Sequence, residues 1–304
     1  MLFRVENLRL SMLTLYVLLG PTAVGKTEFA LRMAESLACP ILNCDSRQIY
    51  RGMEIGTAAP TAEQLQRVKH YFVGTHSIGS YYSAAQYEQD VLSLVAELEG
   101  RHQSLLLSGG SMLYIDAVCN GIDDIPSVDA EVRETLRQRL ANGEIDKMRS
   151  ELQLLDPNYY MVADTRNPKR VVHALEVCYT TGSPYSSFLK GERKPRPFRV
   201  VKYGLRRERQ ELFERIGRRV DAMIEDGLLD EARRLYPFRQ ENALNTVGYK
   251  EIFRYFDGEW TLPFAIEKIK KNTRDYAKKQ MTWFSHDESI QWFHPDDPLP
   301  AFVD

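Results

Sequence analysis

The chain has 304 residues, of which 43% are hydrophobic and 27% charged, a composition ordinary for a soluble globular protein and sufficient for one large or two modest domains. Disordered, collagenous and low-complexity chains are thereby excluded. With 40 Lys+Arg against 42 Asp+Glu the formal charge is -2, so the overall balance does not mark a nucleic-acid binder.

In chain order, Arg4 and Arg9 precede an apolar run over 10–19, a pattern faintly like a secretory signal. The run passes straight into Gly20-Pro21-Thr22 with no small-residue cleavage site, so a buried strand over 13–19 (LTLYVLL) is the better reading. A helix over 26–38 follows, with Phe29, Ala30, Met33 and Leu37 on one side. A second short strand covers 41–44 and stops before Asp45. Ser83 opens another helix with Gln86 three residues on, a capping-box pattern, and its inward stripe is Val91, Leu94, Val95 and Leu98. A third buried strand, 104–108 (SLLLS), ends in Gly109-Gly110. Strands alternating with helices predict an α/β fold with a parallel sheet, in which ligands bind beyond the carboxyl ends of the strands.

After residue 122 the buried strands stop. Turn signals at Ile125-Pro126-Ser127, Asp156-Pro157-Asn158, Asn167-Pro168 and Thr181-Gly182-Ser183-Pro184 punctuate helical patterns. An alternating strand returns at 199–205, 207–284 is helical, and 290–293 is a candidate last strand. The organisation expected is therefore a core of 12–125 and 198–304, with a helical C-terminal region, carrying a helical insertion at 126–197. No other apolar run approaches the ~20 residues of a membrane span, and no membrane association is expected. Cys39, Cys44, Cys119 and Cys178 form no C-x-x-C pair, which excludes a recognisable structural zinc site, disfavours a disulfide scaffold and suits a reducing cytoplasm.

The strongest local signal is Gly20-Pro21-Thr22-Ala23-Val24-Gly25-Lys26-Thr27, a full match to the phosphate-binding loop G-x-x-x-x-G-K-[ST], placed after a strand and before a helix as the motif requires. Glycines let backbone N–H groups converge on an anion, and the helix N-terminus adds positive potential. Lys26 supplies a point charge, and the Thr27 hydroxyl can hold Mg²⁺. The motif demands a di- or triphosphate without saying which. Asp45, at the end of the second strand, can hold Mg²⁺, act as a base or cap a turn. Gly109-Gly110-Ser111 offers a backbone nest with a hydroxyl, or simply a strand-to-helix turn.

Two segments break the global neutrality. Residues 193–219 carry 11 bases and 3 acids, +8 in 27 residues, and 268–279 carry 6 bases and Asp275, +5. A solvated helix face is the ordinary explanation, and Arg207, Glu211 and Glu214 stand at helical pair spacing. A phosphate-binding surface that steers and grips a polyanion is the sharper one.

Six motifs in order, GPTAVGKT (20–27), DSRQIYRGMEIGTAAP (45–60), GGSMLY (109–114), ALEV (174–177), VGYKE (247–251) and KKQMTWF (278–284), resemble those of the tRNA dimethylallyltransferase, or tRNA isopentenyltransferase, family of bacterial type. The resemblance spans about 20–284. Residues 1–11 lie outside it, with Met12 as a candidate start. It implies a P-loop NTPase-like core with a helical insertion that embraces the anticodon stem-loop, and a monomeric cytoplasmic enzyme. It also implies transfer of a dimethylallyl group from dimethylallyl diphosphate to N6 of adenine 37, in tRNAs that read codons starting with U.

By the same resemblance, Gly20 to Thr27 hold the diphosphate rather than ATP, with Mg²⁺ as the cofactor. Asp45 is the general base, and Ser111 shares the catalytic role. Asp45, Ser46, Arg47, Gln48 and Ser111 face the tRNA, as do Arg133, Lys169, Arg170 and His173 in the insertion. Asn245, Lys250, Lys278, Lys279 and Gln280 complete the tRNA contacts. Four positions depart from the family's usual pattern: Ser111 stands for Thr, Ala59 for a Lys, Asn245 for a frequent Arg and Lys279 for a frequent Arg.

Three other readings share parts of this pattern. A small-metabolite kinase has the loop and sheet but consumes ATP and needs arginines over the phosphates. An adenylate isopentenyltransferase has no use for the long insertion. A nucleotide-regulated RNA-binding module predicts RNA binding indifferent to Asp45.

Overall fold

A computed structural model describes residues 12–302; the segment 1–11 ahead of Met12 lies outside them. Six strands form one fully parallel sheet: β1 (Thr14–Leu19), β2 (Ile41–Cys44), β3 (His70–Tyr71), β4 (Ser104–Gly109), β5 (Arg199–Leu205) and β6 (Gln291–Phe293), in the order β3-β2-β4-β1-β5-β6. The expected α/β class is the one observed. All six residues of β1 are buried, as a continuous apolar run covered on both faces requires. The two-residue β3 has no hydrophobic run to signal it, and sequence periodicity passes over it.

Helices join and flank the strands: α1 (Lys26–Leu37), α2 (Glu54–Thr57), α3 (Ala62–Arg67), α4 (Ala84–Leu98) and α5 (Met112–Asn120) in the first part of the chain. Ser83 and Gln86 do form the capping box of α4. Phe29, Met33 and Ala34 of α1 pack on Tyr16 and Leu18 of β1, in one cluster with Leu212 and Ile216 from beyond β5.

The chain divides into two compact units, one comprising the residues up to Asn120 together with those from Pro195 on, the other Gly121–Lys194. The second unit begins a few residues earlier than the 126–197 read from turn signals, because Ile125-Pro126 lies within it. It contains α6 (Ala130–Ala141), α7 (Ile145–Leu155), α8 (Pro157–Val162) and α9 (Pro168–Thr181). Its core joins Leu136, Met148, Leu152, Val171, Ala174 and Leu175. Asp156 is fully buried there, capping α8 through Tyr159 N (2.9 Å) and accepting from Ser186 N (2.6 Å) and Ser186 Oγ (2.7 Å), so its polar atoms are satisfied.

After β5 the first unit continues with α10 (Arg209–Glu225), α11 (Leu228–Leu235), α12 (Tyr249–Phe256) and α13 (Leu262–Phe284) before β6. Among the described residues no helix is long and apolar enough to cross a membrane, and the four cysteines are free and buried.

Candidate active site

Strand register assembles the site. Leu19 of β1 is paired with Gly109 of β4, and Cys44 of β2 is paired with the same Gly109 from the other side. Gly20, Asp45 and Gly110 therefore leave the sheet side by side at its carboxyl edge, where parallel sheets bind ligands. Gly109 permits this approach: a Cβ there would lie 2.0 Å from the Cys44 carbonyl oxygen. Gly20, at φ 148°, leaves room for Leu205 O, which a Cβ would meet at 2.7 Å.

The loop 20–27 turns its carbonyls toward cations. Lys26 Nζ donates to Gly20 O (2.9 Å) and Pro21 O (2.7 Å), Arg215 Nε to Ala23 O (2.9 Å) and Arg207 Nε to Val24 O (2.9 Å). Ala23 sits at φ 63°, a left-handed conformation that costs a non-glycine residue roughly 1 kcal/mol; such strain persists where surrounding bonds over-determine it. Burial, reinforced by the neighbouring Arg219 charge and opposed by Asp45, lowers the Lys26 ammonium to a pKa of about 7. An anion entering the loop would reverse that balance.

Asp45 Oδ1 accepts from Arg47 N (2.8 Å) and Gln48 N (3.3 Å). The carboxylate therefore caps its own turn, and Oδ2 takes part in neither bond. Ser111, buried, accepts at Oγ from Ser46 N (2.8 Å), so its hydroxyl holds the same turn from β4's side. Gln280 of α13 is 2% exposed. Its Oε1 accepts from Thr22 N (2.9 Å) and its Nε2 donates to Gly110 O (2.8 Å).

These elements enclose a cavity of ≈ 550 Å³ lined by Thr22, Lys26, Thr27, Asp45, Gln48 and Gln280, among others. Arg215, Arg218 and Arg219 of α10 line it too, three residues that no local motif places there. Arg219 reaches Thr22 Oγ1 and Thr57 O, both at 3.4 Å, and its burial lowers its pKa. Arg215 and Arg219 stand one helical turn apart, with Leu212, Ile216 and Val220 of the same helix in the core. A charge count cannot tell such a pair from a solvated face. Tyr276 also lines the cavity, with its phenol pKa raised first by burial and then by Asp45.

The +8 segment is accordingly not one continuous surface. Arg196 is buried against Glu88 (2.6 Å), Lys202 pairs with Asp287 (2.6 Å), and Arg207 pairs with Glu211 and Asp296. Sequence reasoning also missed Glu231. Its buried carboxylate accepts from Ile55 N and Gly56 N (2.8 Å each) and from Tyr249 OH (2.6 Å), tying the 45–60 motif to the 247–251 motif. A Cβ on Gly56 would overlap the Tyr249 ring at 2.5 Å.

The other residues expected to meet tRNA are dispersed. Arg47 Nη1 donates to Asn242 O (2.8 Å) and Ala243 O (3.2 Å), and Gln48 Nε2 to Thr57 O and Ala58 O (3.1 Å each). Asn245, Lys250, Lys278 and Lys279 are exposed; Lys278 pairs with Asp275 at 3.0 Å and lies 5.6 Å over the Phe213 ring. Arg133, Lys169, Arg170 and His173 belong to the helical unit, where Glu176 pairs with Arg133 (3.6 Å) and His173 (3.4 Å), while Lys169 and Arg170 are exposed.

Comparison with known proteins agrees with this architecture. The IPP transferase family profile matches residues 48–287. The chain is 59% identical over 283 residues to tRNA dimethylallyltransferase 1 of Phocaeicola vulgatus, covering 93% of this chain and 94% of that one. It is 57% identical to tRNA dimethylallyltransferase 1 of Bacteroides thetaiotaomicron, covering 93% and 92%. Among solved structures, the tRNA isopentenylpyrophosphate transferase of Bacillus halodurans superposes with a TM-score of 0.65 at 36% identity, over 92% of this chain and 89% of that one. A eukaryotic dimethylallyltransferase acting on tRNA shares the fold, with a TM-score of 0.78 at 22% identity over 94% of this chain and 74% of that one. The six ordered motifs, the sheet edge that gathers three of them and these likenesses lead to one assignment: the chain belongs to the IPP transferase family.

Proposed function

We propose that this chain transfers a dimethylallyl group from dimethylallyl diphosphate to N6 of adenine 37 in tRNAs reading codons that start with U, giving N6-dimethylallyladenosine and diphosphate. The observation that carries this reading is the single cavity in which the phosphate loop, Asp45 and three arginines converge. Bound there, the diphosphate would meet the loop's N–H groups, Lys26, Arg215 and Arg219. These neutralise the charge that grows as the allylic C–O bond breaks. The adenine N6 lone pair is delocalised into its ring, so positioning dominates: the flipped base is held against the allylic carbon. As the N6–C bond forms, Asp45 accepts the N6 proton. Ser111 shares the catalytic assignment through the turn it holds around Asp45.

Mg²⁺ fits this donor set. Among the described residues no cluster of three His, Cys, Asp or Glu could hold a metal alone, and Mg²⁺ characteristically relies on substrate phosphates, water and one or two protein oxygens. The Thr27 hydroxyl would be such a ligand. When bound, the ion supplies Lewis-acid neutralisation of the departing diphosphate. Arg133, Lys169, Arg170, His173, Asn245, Lys250, Lys278 and Lys279, with Ser46, Arg47 and Gln48, are the tRNA contacts in this reading, whereas Gln280, buried with both amide ends bonded to Thr22 N and Gly110 O, serves the loop instead of the tRNA; the helical unit grips the anticodon stem-loop largely by shape and backbone. The enzyme acts as a cytoplasmic monomer, in keeping with its free cysteines.

Arginines over a phosphate loop also suit a small-metabolite kinase, and one assay separates the two. Incubation with labelled dimethylallyl diphosphate, Mg²⁺ and unmodified tRNA, followed by nucleoside analysis, is expected to yield N6-dimethylallyladenosine. Absence of that product together with steady ATP consumption would give the site to the kinase reading.

A further inference from the structure

The family profile ends at residue 287, yet the chain beyond it is built into the phosphate loop's outer side. β6 adds to the sheet beside β5, and Gly204 makes room for it: a Cβ there would meet Trp292 at 2.6 Å and Ile290 at 2.7 Å. After β6, Pro295 packs behind Gly25, whose Cβ, were one present, would lie 3.3 Å from Pro295 Cβ. Arg32 of α1 donates to Pro295 O at 2.9 Å, and His294 N donates to Asp297 at 2.7 Å, closing the turn. Phe302 then anchors the segment against Tyr16 with ring centroids 5.4 Å apart.

Arg207 is the link between this segment and the loop. Its side chain is 7% exposed. Nε donates to Val24 O at 2.9 Å, while the other end of the guanidinium meets Glu211, Asp296 (3.3 Å) and His294 Nε2 (3.2 Å). A guanidinium is planar and holds its donors in a fixed fork. Fastening one edge to the C-terminal turn therefore fixes where the other edge holds Val24. A cation on the Val24 carbonyl, next to the left-handed Ala23, fixes the orientation of that carbonyl and so of the peptide planes of the loop an anion would meet.

We propose that the C-terminal turn at 294–297 and Arg207 form a positioning device for the phosphate loop, so that diphosphate affinity depends on residues outside the pocket. This rests on the reading of the loop as a diphosphate site. Arg207 is a positioning residue, since it reaches the loop's outer carbonyl and does not line the cavity.

The test is calorimetric binding of inorganic diphosphate with Mg²⁺, alongside tRNA affinity, for wild type, Arg207→Ala, Arg207→Lys and Asp296→Ala. Arg207→Ala is expected to weaken diphosphate binding roughly tenfold, the scale of one lost charge-assisted hydrogen bond, with tRNA affinity unchanged. Arg207→Lys should fall between, because a point charge cannot hold Val24 and both carboxylates together. Asp296→Ala, a 73% exposed position, should weaken diphosphate in the same direction without loss of thermal stability. It decides the matter alone if Arg207→Ala does not fold. Diphosphate affinities within about twofold of wild type, or diphosphate and tRNA weakened in equal proportion, overturn the device. A wild type that binds no diphosphate sinks the reading of the loop, and the inference with it.

Discussion

Gln280 and Thr22, 258 positions apart, are joined by a 2.9 Å hydrogen bond from the Thr22 amide to the Gln280 side-chain carbonyl, while the same amide group of Gln280 donates to Gly110 O. One buried side chain thus spans the two glycine-rich edges of the site. Gln280→Ala leaves an N–H and a carbonyl without these partners, each loss costing on the order of 1–3 kcal/mol. Gln280→Glu keeps the acceptor for Thr22 but sets a carboxylate against Gly110 O, close to where a diphosphate would sit. Both variants are expected to lose stability in urea and to raise KM for dimethylallyl diphosphate, Gln280→Glu the more. Unfolding curves and KM values identical to wild type would show the tie to be idle.

Asp45→Asn retains an oxygen that can accept from Arg47 N and Gln48 N, so the turn should survive. What it removes is the proton acceptor. A fall in kcat of roughly 10²-fold is expected, with tRNA affinity little changed. Near-normal turnover in the Asn variant removes Asp45 from the mechanism and leaves it only the turn-capping role its Oδ1 already performs.

Lys26 gives a pH signature. Its folded pKa of about 7 lies below the ordinary 10.5. Between those values the unfolded chain binds a proton that the folded chain does not, so this group's contribution to stability rises with pH through that window. Diphosphate in the loop favours the charged ammonium. At pH 8 binding should therefore draw up to about one proton onto Lys26. Calorimetry in buffers of different ionisation enthalpy measures the uptake, and Lys26→Met supplies the reference for protons exchanged by the diphosphate itself. The same proton count in both proteins would contradict the assignment.

What was legible beforehand follows from the range of the signals. β1, the loop after it and the capping box at Ser83 are written in consecutive residues, and periodicity or a spaced motif suffices to find them. The convergence of Gly20, Asp45 and Gly110 needed only the rule that parallel strands present one edge. The arginines were not legible in this way. Arg196 and Glu88 are 108 positions apart, and Arg207 meets partners 87 and 89 positions away, so a local charge count read internal struts and pocket lining as excess surface charge. Glu231 was equally hidden. Nothing in its own helix indicates that its carboxylate will hold the Ile55 and Gly56 amides. For Asp45 the sequence allows both base and cap, and the structure shows the cap while keeping the carboxylate in the cavity.

Part of the exposed charge sits toward the end of α13 and gives the tRNA reading its test. Lys278 and Lys279 are exposed; Lys278 shares the Phe213 ring with Arg209, the two cations lying 5.6 and 5.3 Å from its centroid. Asp275 is the acid paired with Lys278, at 3.0 Å between groups that are about half exposed, a pairing weak enough for a phosphate to displace. Phosphate contacts release counterions, so tRNA affinity should fall steeply with salt, and each contact removed should lessen the logarithmic slope by about one. The Lys278→Ala/Lys279→Ala double variant is expected to raise KM for tRNA and flatten the salt dependence by about two in slope, leaving KM for dimethylallyl diphosphate nearly unchanged. Binding measured across a salt series for the two proteins decides between a tRNA contact and a solvated helix face: superimposable slopes and affinities would mean that these lysines serve solubility alone.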